Sequence, residues 1–153
     1  MKTKSLVLAV AACTLLSVAL CGCALFKSGP KPEELVMQQT QAFTNDFTAG
    51  NADKILDYVS ETFTNEHVAS KADIAKQIDK AKQNGKLDQA KQFIKDHEGK
   101  IDLKEAKVTV KKGKASVYPI HASADMGEVT IRLDFNKDPD KAWRICGIDI
   151  EGI

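Results

Sequence analysis

Helices packed on a four-stranded antiparallel sheet, an α+β class, are what this sequence predicts, on three observations. From Pro32 to His97 the apolar residues recur at intervals of three and four. After Lys100 the interval drops to two, and Gly50, Gly85, Gly99 and Gly113 fall where one segment gives way to the next. A period near 3.6 marks a helix with one buried stripe, and a period of two marks a strand with one buried and one wet face. Helices grouped ahead of strands, not alternating with them, put the helices on one side of an antiparallel sheet.

The first helix is expected over Pro32–Ala49. Pro32 suits a first helical position, and Glu33 and Glu34 complement the positive end of the helix dipole. Leu35, Val36, Ala42, Phe43 and Phe47 form its stripe, and Gly50 closes it. Asn51 is placed to cap a second helix from Ala52 to about Glu61, with Ile55, Leu56, Val59 and Phe63 inward. Ser70-Lys71-Ala72-Asp73 has capping-box spacing with Asp in place of Glu, which starts a third helix running to about Asn84. A fourth follows over Lys86–His97, with Leu87, Ala90, Phe93 and Ile94 on one face.

The strands come next. Val108 and Val110 alternate with lysines and Thr109, and Lys112-Gly113 reads as a hairpin turn into a strand over Ala115–Ala122. Pro119 within that strand requires an edge or a bulge, because proline has no N–H to give the ladder. Val129, Ile131, Leu133 and Phe135 form a third strand's inward row. Trp143 and Ile145 begin the last, and Gly147 is expected as a bulge that hands the inward role to Ile148 and Ile150.

Ahead of this domain lies a leader. Lys2 and Lys4 precede an uncharged run from Ser5 to Leu20, the pattern of a secretory signal. Leu20-Cys21-Gly22-Cys23 resembles the bacterial lipobox, in which Gly22 gives a peptidase access to the bond before Cys23 and the Cys23 thiol takes a diacylglycerol. The resemblance divides the chain into a cleaved signal peptide over 1–22, a lipidated Cys23 and tether over 23–31, and a domain over 32–153. Extended, residues 24–31 reach about 26 Å, which keeps the domain beside the bilayer. Three other readings stay open: Ser5–Phe26 as an uncleaved span of a ~30 Å bilayer core, modification at Cys21, or a conventional cut that frees a secreted protein. With palmitate-type acylation at Cys23 the expected location is the extracytoplasmic face of the cell membrane. If the host has an outer membrane, Ala24 after Cys23 favours that membrane instead.

Losing residues 1–22 leaves 20 basic against 21 acidic residues, a net charge of −1. That balance gives no reason to expect nucleic acid as a partner. Only Cys146 remains as a free thiol after lipidation, which forbids an internal disulfide; without lipidation a Cys23–Cys146 bridge becomes conceivable. Cys146, among Ile145, Gly147 and Ile148, is expected to be buried and inert.

The segment from Phe43 and Phe47 into "AGNADKILDYVS", with the ending Ala142-Trp143-Arg144-Ile145, resembles the nuclear-transport-factor-two-like, or cystatin-like, superfamily. The chain is most similar to its lipid-anchored bacterial members of the lumazine-binding-like group, whose function is unknown. Asn51 and Asp53 stand where a Gly-Asp step is usual, and Lys86–His97 is a helix beyond the usual three. The resemblance implies a cone of sheet and helices that holds a small ligand, an active site or only a packed core. Phe43, Phe47, Tyr58, Tyr118, Phe135 and Trp143 are then its pocket-lining candidates. It also leaves open an envelope protein as partner, or a homodimer through the exposed sheet face.

Isomerase-like and cyclase-like members of that superfamily carry an acid/base carboxylate or His inside the cone. Here the inward rows are apolar, and the one pair near in sequence, His121 and Asp125, sits at a strand end. A solvent-facing His is the simpler reading, so no catalytic set is named. His67, His97 and His121 lack metal-ligand spacing. Asp134–Asp138 begins like a calcium loop but fails at Pro139 and Ile145. No metal and no cofactor is expected.

Overall fold

Four helices precede five strands among the described residues of a computed structural model of this chain, which describes residues 29–65 and 68–152. The expected signal peptide, Cys23, the first part of the tether and His67 lie outside the described residues. Pro32–Ile153 forms one unit. Its helices are α1 (Pro32–Thr48), α2 (Ala52–Tyr58), α3 (Lys71–Gln83) and α4 (Lys86–Asp96). Its strands are β1 (Lys100–Asp102), β2 (Lys107–Lys111), β3 (Lys114–Ala124), β4 (Gly127–Lys137) and β5 (Trp143–Glu151).

The sheet is antiparallel in the order β1-β3-β4-β5, with β2 also on β3. It has one strand more than the four expected, because three residues are too few to show an alternation in sequence. β3 serves two neighbours in turn: Lys114–Tyr118 pairs with β2, and His121–Ser123 pairs with β1. The changeover falls at Tyr118-Pro119, where the register with β4 also shifts between Val117 and Ile120. A bulge is where a strand can hold a residue that donates nothing to the ladder, so Pro119 sits where its chemistry requires. A second shift lies in β5: Asp134 faces Gly147 and Phe135 faces Ile145. The extra residue is therefore Cys146, one position before the glycine expected. The inward role passes to Ile148 and Ile150 all the same, opposite Leu133 and Ile131.

The core sits between α1 and one half of the sheet. Val36 and Phe43 of α1 are buried with Val117, Leu133, Phe135, Trp143 and Ile145. Thr40 and Thr44 are buried too, which an apolar stripe does not foresee. Each hydroxyl donates to a carbonyl of its own helix, Thr40 to Val36 at 2.9 Å and Thr44 to Gln41 at 3.1 Å, so burial leaves neither hydroxyl unpaired.

α2 stops at Tyr58, not near Glu61, because β5 claims the residues after it. Val59 bridges Ile145, the Ser60 N–H donates to the Ile145 carbonyl at 2.9 Å, and the Thr64 N–H donates to the Cys146 carbonyl at 3.2 Å. This segment covers part of the free edge of β5, which would otherwise expose unpaired backbone groups. Asn51 holds the N-cap position of α2 but makes no side-chain cap; its amide donates to Asp46 Oδ1 at 2.7 Å instead. At α3 the capping box is present in altered form. Ser70 Oγ accepts from the Asp73 N–H at 3.2 Å and donates to the Asp73 carboxylate at 2.8 Å.

Phe135→Ala should cost about 3–5 kcal/mol of stability in chemical denaturation, the usual range for deleting a buried phenyl. Phe47→Ala, on the same sequence stripe as Phe43 but half exposed, should cost no more than about 1 kcal/mol. Equal losses would place Phe47 in the core.

Candidate functional site

Burial fades along the sheet. At the β2 end the inward residues Ala115, Val117, Leu133 and Phe135 are buried; farther along, Ala122, Val129 and Ile131 are half-buried, and Ile150 is exposed. α1 ends over this transition, and Phe93 and Ile94 of α4 border the remainder. Between them lies a groove of about 480 Å³ with Ile101, Ala122, Val129 and Ile131 as its floor and Phe47, Phe93, Ile94 and Met126 as its walls. That volume is in the ~300–1,000 Å³ range of small-molecule sites. Phe47, Phe93 and Met126 are 49%, 50% and 71% exposed. Three large apolar side chains left in water around one concavity are more informative than scattered exposed leucines.

Two contacts set the walls. The imidazole of His97, at the end of α4, lies 2.9 Å and 3.1 Å from the Asp125 carboxylate oxygens, and the Asp125 N–H donates to the His97 carbonyl at 3.2 Å. They fasten the β3–β4 turn, with Met126, to α4. The other is at Gly50, whose φ of +67° suits glycine and whose missing Cβ leaves room for the Lys91 side chain, 2.3 Å from where that carbon would stand. A smaller cavity of about 230 Å³ lies among α1, α2, α3 and α4, lined by Ile55, Ile74, Ile78, Leu87 and Ala90. Phe47 and Ile94 border both spaces. Neither α3 nor α4 has a fully buried residue, which agrees with helices that wall a cavity instead of sealing a core.

The polar groups of the helix–sheet seam are committed to each other. Tyr58 donates to Asp46 Oδ2 at 2.6 Å and sets its ring edge-on to Phe43, centroids 5.8 Å apart. That hydrogen bond holds the Asp46 carboxyl below its ordinary value and, with desolvation, pushes the Tyr58 phenol up to about 12. Buried Ser60 donates to Asp138 at 2.8 Å. Arg144 donates to Asp138 at 3.1 Å and, through two nitrogens, to Asp140 at 2.9 Å and 2.7 Å. The arginine holds Asp140 down to about 2. Asp138, Asp140 and Arg144 border a polar cleft of about 550 Å³ that also includes Asp57, Glu61 and Lys71, where Lys71 and Glu61 pair at 2.9 Å. Ser60, fully buried, meets a carboxylate already held by an arginine, and among the described residues no histidine lines the cleft.

The His121–Asp125 pair considered from sequence does not form. Asp125 goes to His97, while His121 lies on the outward face with Nδ1 2.9 Å from Glu128 and Nε2 3.7 Å from Glu105. The Pro119 bulge sets that side: His121 pairs with Thr130 in the outward row. Cys146 is half-buried at the β5 bulge, and burial pushes its thiol up, away from thiolate reactivity.

Of the six aromatic residues named from sequence, Phe47 lines the groove. Phe43, Phe135 and Trp143 lie in the packed core. Tyr58 is engaged with Asp46, and Tyr118 lies on the outward sheet face beneath Arg132, 4.8 Å from guanidinium to ring centroid. Groove residues not foreseen as such include Phe93, Ile94, Met126, Val129 and Ile131. Phe93 and Ile94 were on a visible helical stripe and Val129 and Ile131 on a visible strand row; no pattern signalled Met126, which sits in a turn.

No family model matches the sequence, and no curated protein matches it either. Solved structures do match its fold. A Novosphingobium aromaticivorans protein described as nuclear-transport-factor-two-like with a cystatin-like fold has 17% identity and a TM-score of 0.53, over 76% of this chain and 79% of that one. The CaMKII hub of S. rosetta has 16% identity and a TM-score of 0.52, over 82% and 100%. A ketosteroid isomerase-like protein from Erwinia carotovora atroseptica has 8% identity and a TM-score of 0.52, over 80% and 96%. The chain also matches Bd1075 of Bdellovibrio bacteriovorus, spanning 39% of that chain's length. The fold is thus cystatin-like.

Tyr58→Phe should remove a phenol ionisation near pH 12 from an alkaline absorbance titration. Because the folded value lies above the ordinary 10.0, the bond's contribution is full below pH 10 and fades as the pH rises through 12. Wild type and variant should therefore converge in stability at high pH, and a constant gap would contradict the assignment.

Proposed function

We propose that this chain is a non-enzymatic binding domain, tethered by a lipid at Cys23 on the extracytoplasmic side of the cell envelope, that takes a small apolar ligand in the groove between α1, α4 and the open half of the sheet. The observation that carries this reading is the groove itself: Phe47, Phe93 and Met126 exposed around an apolar floor of ligand-sized volume. Its one lining carboxylate, Glu128, is paired with His121 on the outward face. An acid/base enzyme of this fold needs a proton-transfer group at the cavity, and the histidines and carboxylates nearest the groove are engaged with each other, Asp125 with His97 and Glu128 beside His121. The lipobox-like Leu20-Cys21-Gly22-Cys23 after an uncharged run supports the tether and the kinship with lipid-anchored lumazine-binding-like proteins.

Self-association is the competing reading. A kinase hub shares the fold, and the outward sheet face offers Tyr118 stacked under Arg132, with Asp149 and Glu151 each 3.9 Å from that guanidinium.

The test has two readouts in the native host. Cys23→Ala should abolish metabolic labelling with palmitate and let the unprocessed chain accumulate. Mass spectrometry of the purified wild-type protein should find a retained apolar small molecule. Unchanged labelling sinks the tether, and an empty protein that exchanges no apolar ligand sinks the binding role.

A further inference from the structure

The groove has a positive rim. Along its α4 side lies a shallower depression of about 340 Å³ lined by Lys91, Lys95 and Lys100, and Thr48, Ile94, Gly99 and Lys100 border both spaces. Among the described residues Lys91 and Lys95 make no ion pair. Lys100 makes a loose one, 3.5 Å to Glu98, with both side chains mostly in water. Among the described residues lining this depression Glu98 is the only carboxylate, so three cations face one anion there, while the groove's own carboxylate, Glu128, lies beside His121. The opposite pattern holds at the polar cleft, where Arg144 and Lys71 are matched by carboxylates. An apolar trough opening sideways onto unmatched ammonium groups is complementary to a molecule with an apolar tail and an anionic head.

We infer that the groove binds a free long-chain fatty acid, with its chain along Phe47, Phe93, Ile94 and Met126 and its carboxylate at Lys91, Lys95 and Lys100. The inference rests on the groove being a ligand site, and it adds the ligand's class and orientation. A single open trough of about 480 Å³ suits one chain. The lysines distinguish an acid from an alcohol of the same length.

The experiment uses the full chain carrying Cys23→Ser, which keeps a covalent acyl group out of the groove. Binding of dodecanoate, tetradecanoate, hexadecanoate and hexadecanol is measured by displacement of a fluorescent fatty acid. Each added methylene should tighten binding roughly fourfold. Hexadecanoate should bind about tenfold tighter than hexadecanol, and K91Q/K95Q/K100Q should erase that preference while circular dichroism stays unchanged. Phe93→Asp should weaken every member of the series. Equal binding of acid and alcohol, or a preference that survives the triple substitution, overturns the head-group assignment and leaves the groove as a ligand site. Failure of the whole series while another apolar molecule is retained overturns the fatty acid and leaves the binding role standing. Failure of the series together with a concentration-dependent dimer that Phe93→Asp dissolves overturns both, because a second copy would then cover the groove.

Discussion

Phe135 is fully buried, opposite Ala115 on one neighbouring strand and Ile145 on the other, in the same core as Val36 and Phe43 of α1. This rung fixes one end of the molecule. With β3 and β4 paired over almost their whole length, the sheet continues well past the point where α1 stops. Apolar residues in register with the rung, Ile131 and Val129 on β4 and Ala122 on β3, extend beyond any helix that could bury them fully. The groove is the consequence: a layer of helix shorter than the layer of sheet beneath it.

α4 makes that consequence a walled groove and not only an exposed sheet. α4 does not fill the gap. It stands over it, held to the β3–β4 turn by His97 and Asp125 and to the end of α1 by Lys91 over Gly50. Its apolar stripe is then divided between two spaces, Leu87 and Ala90 toward the small cavity and Phe93 toward the groove, with Ile94 between. The hydrophobic effect that ordinarily drives a helix onto a sheet is thus only partly satisfied within the chain. The remainder is available to a ligand. Meanwhile the ionisable groups of the seam are tied in Tyr58–Asp46 and Ser60–Asp138–Arg144, where they set the position of α2 and of the segment on the β5 edge.

Much of this was legible in the sequence where the physics is local. Period and capping placed all four helices, and alternation placed four of the five strands, because those signals live within one turn or one pleat. Pro119 announced a bulge through the absence of a single N–H. What escaped depends on partners distant in sequence. β1 is too short to pattern and exists because β3 has unpaired length beyond β2. α2 ends early because Ser60 meets Ile145 across the fold. Phe43 and Phe47 are equivalent on a helical wheel, yet one is core and the other groove, since only the extent of α1 over the sheet separates them. His121 and Asp125 are near in sequence and parted by the pleat, while Asp125 and His97 are far apart and joined.

The division into a sealed half and an open half can be measured residue by residue. Amide chemical shifts of the protein, followed by NMR during titration with an apolar probe, should move at Gly99, Ala122, Met126 and Val129 and stay fixed at Val117, Leu133 and Phe135. Shifts confined to the outward face around Tyr118 and Arg132, or spread evenly through the buried rung, would contradict the account.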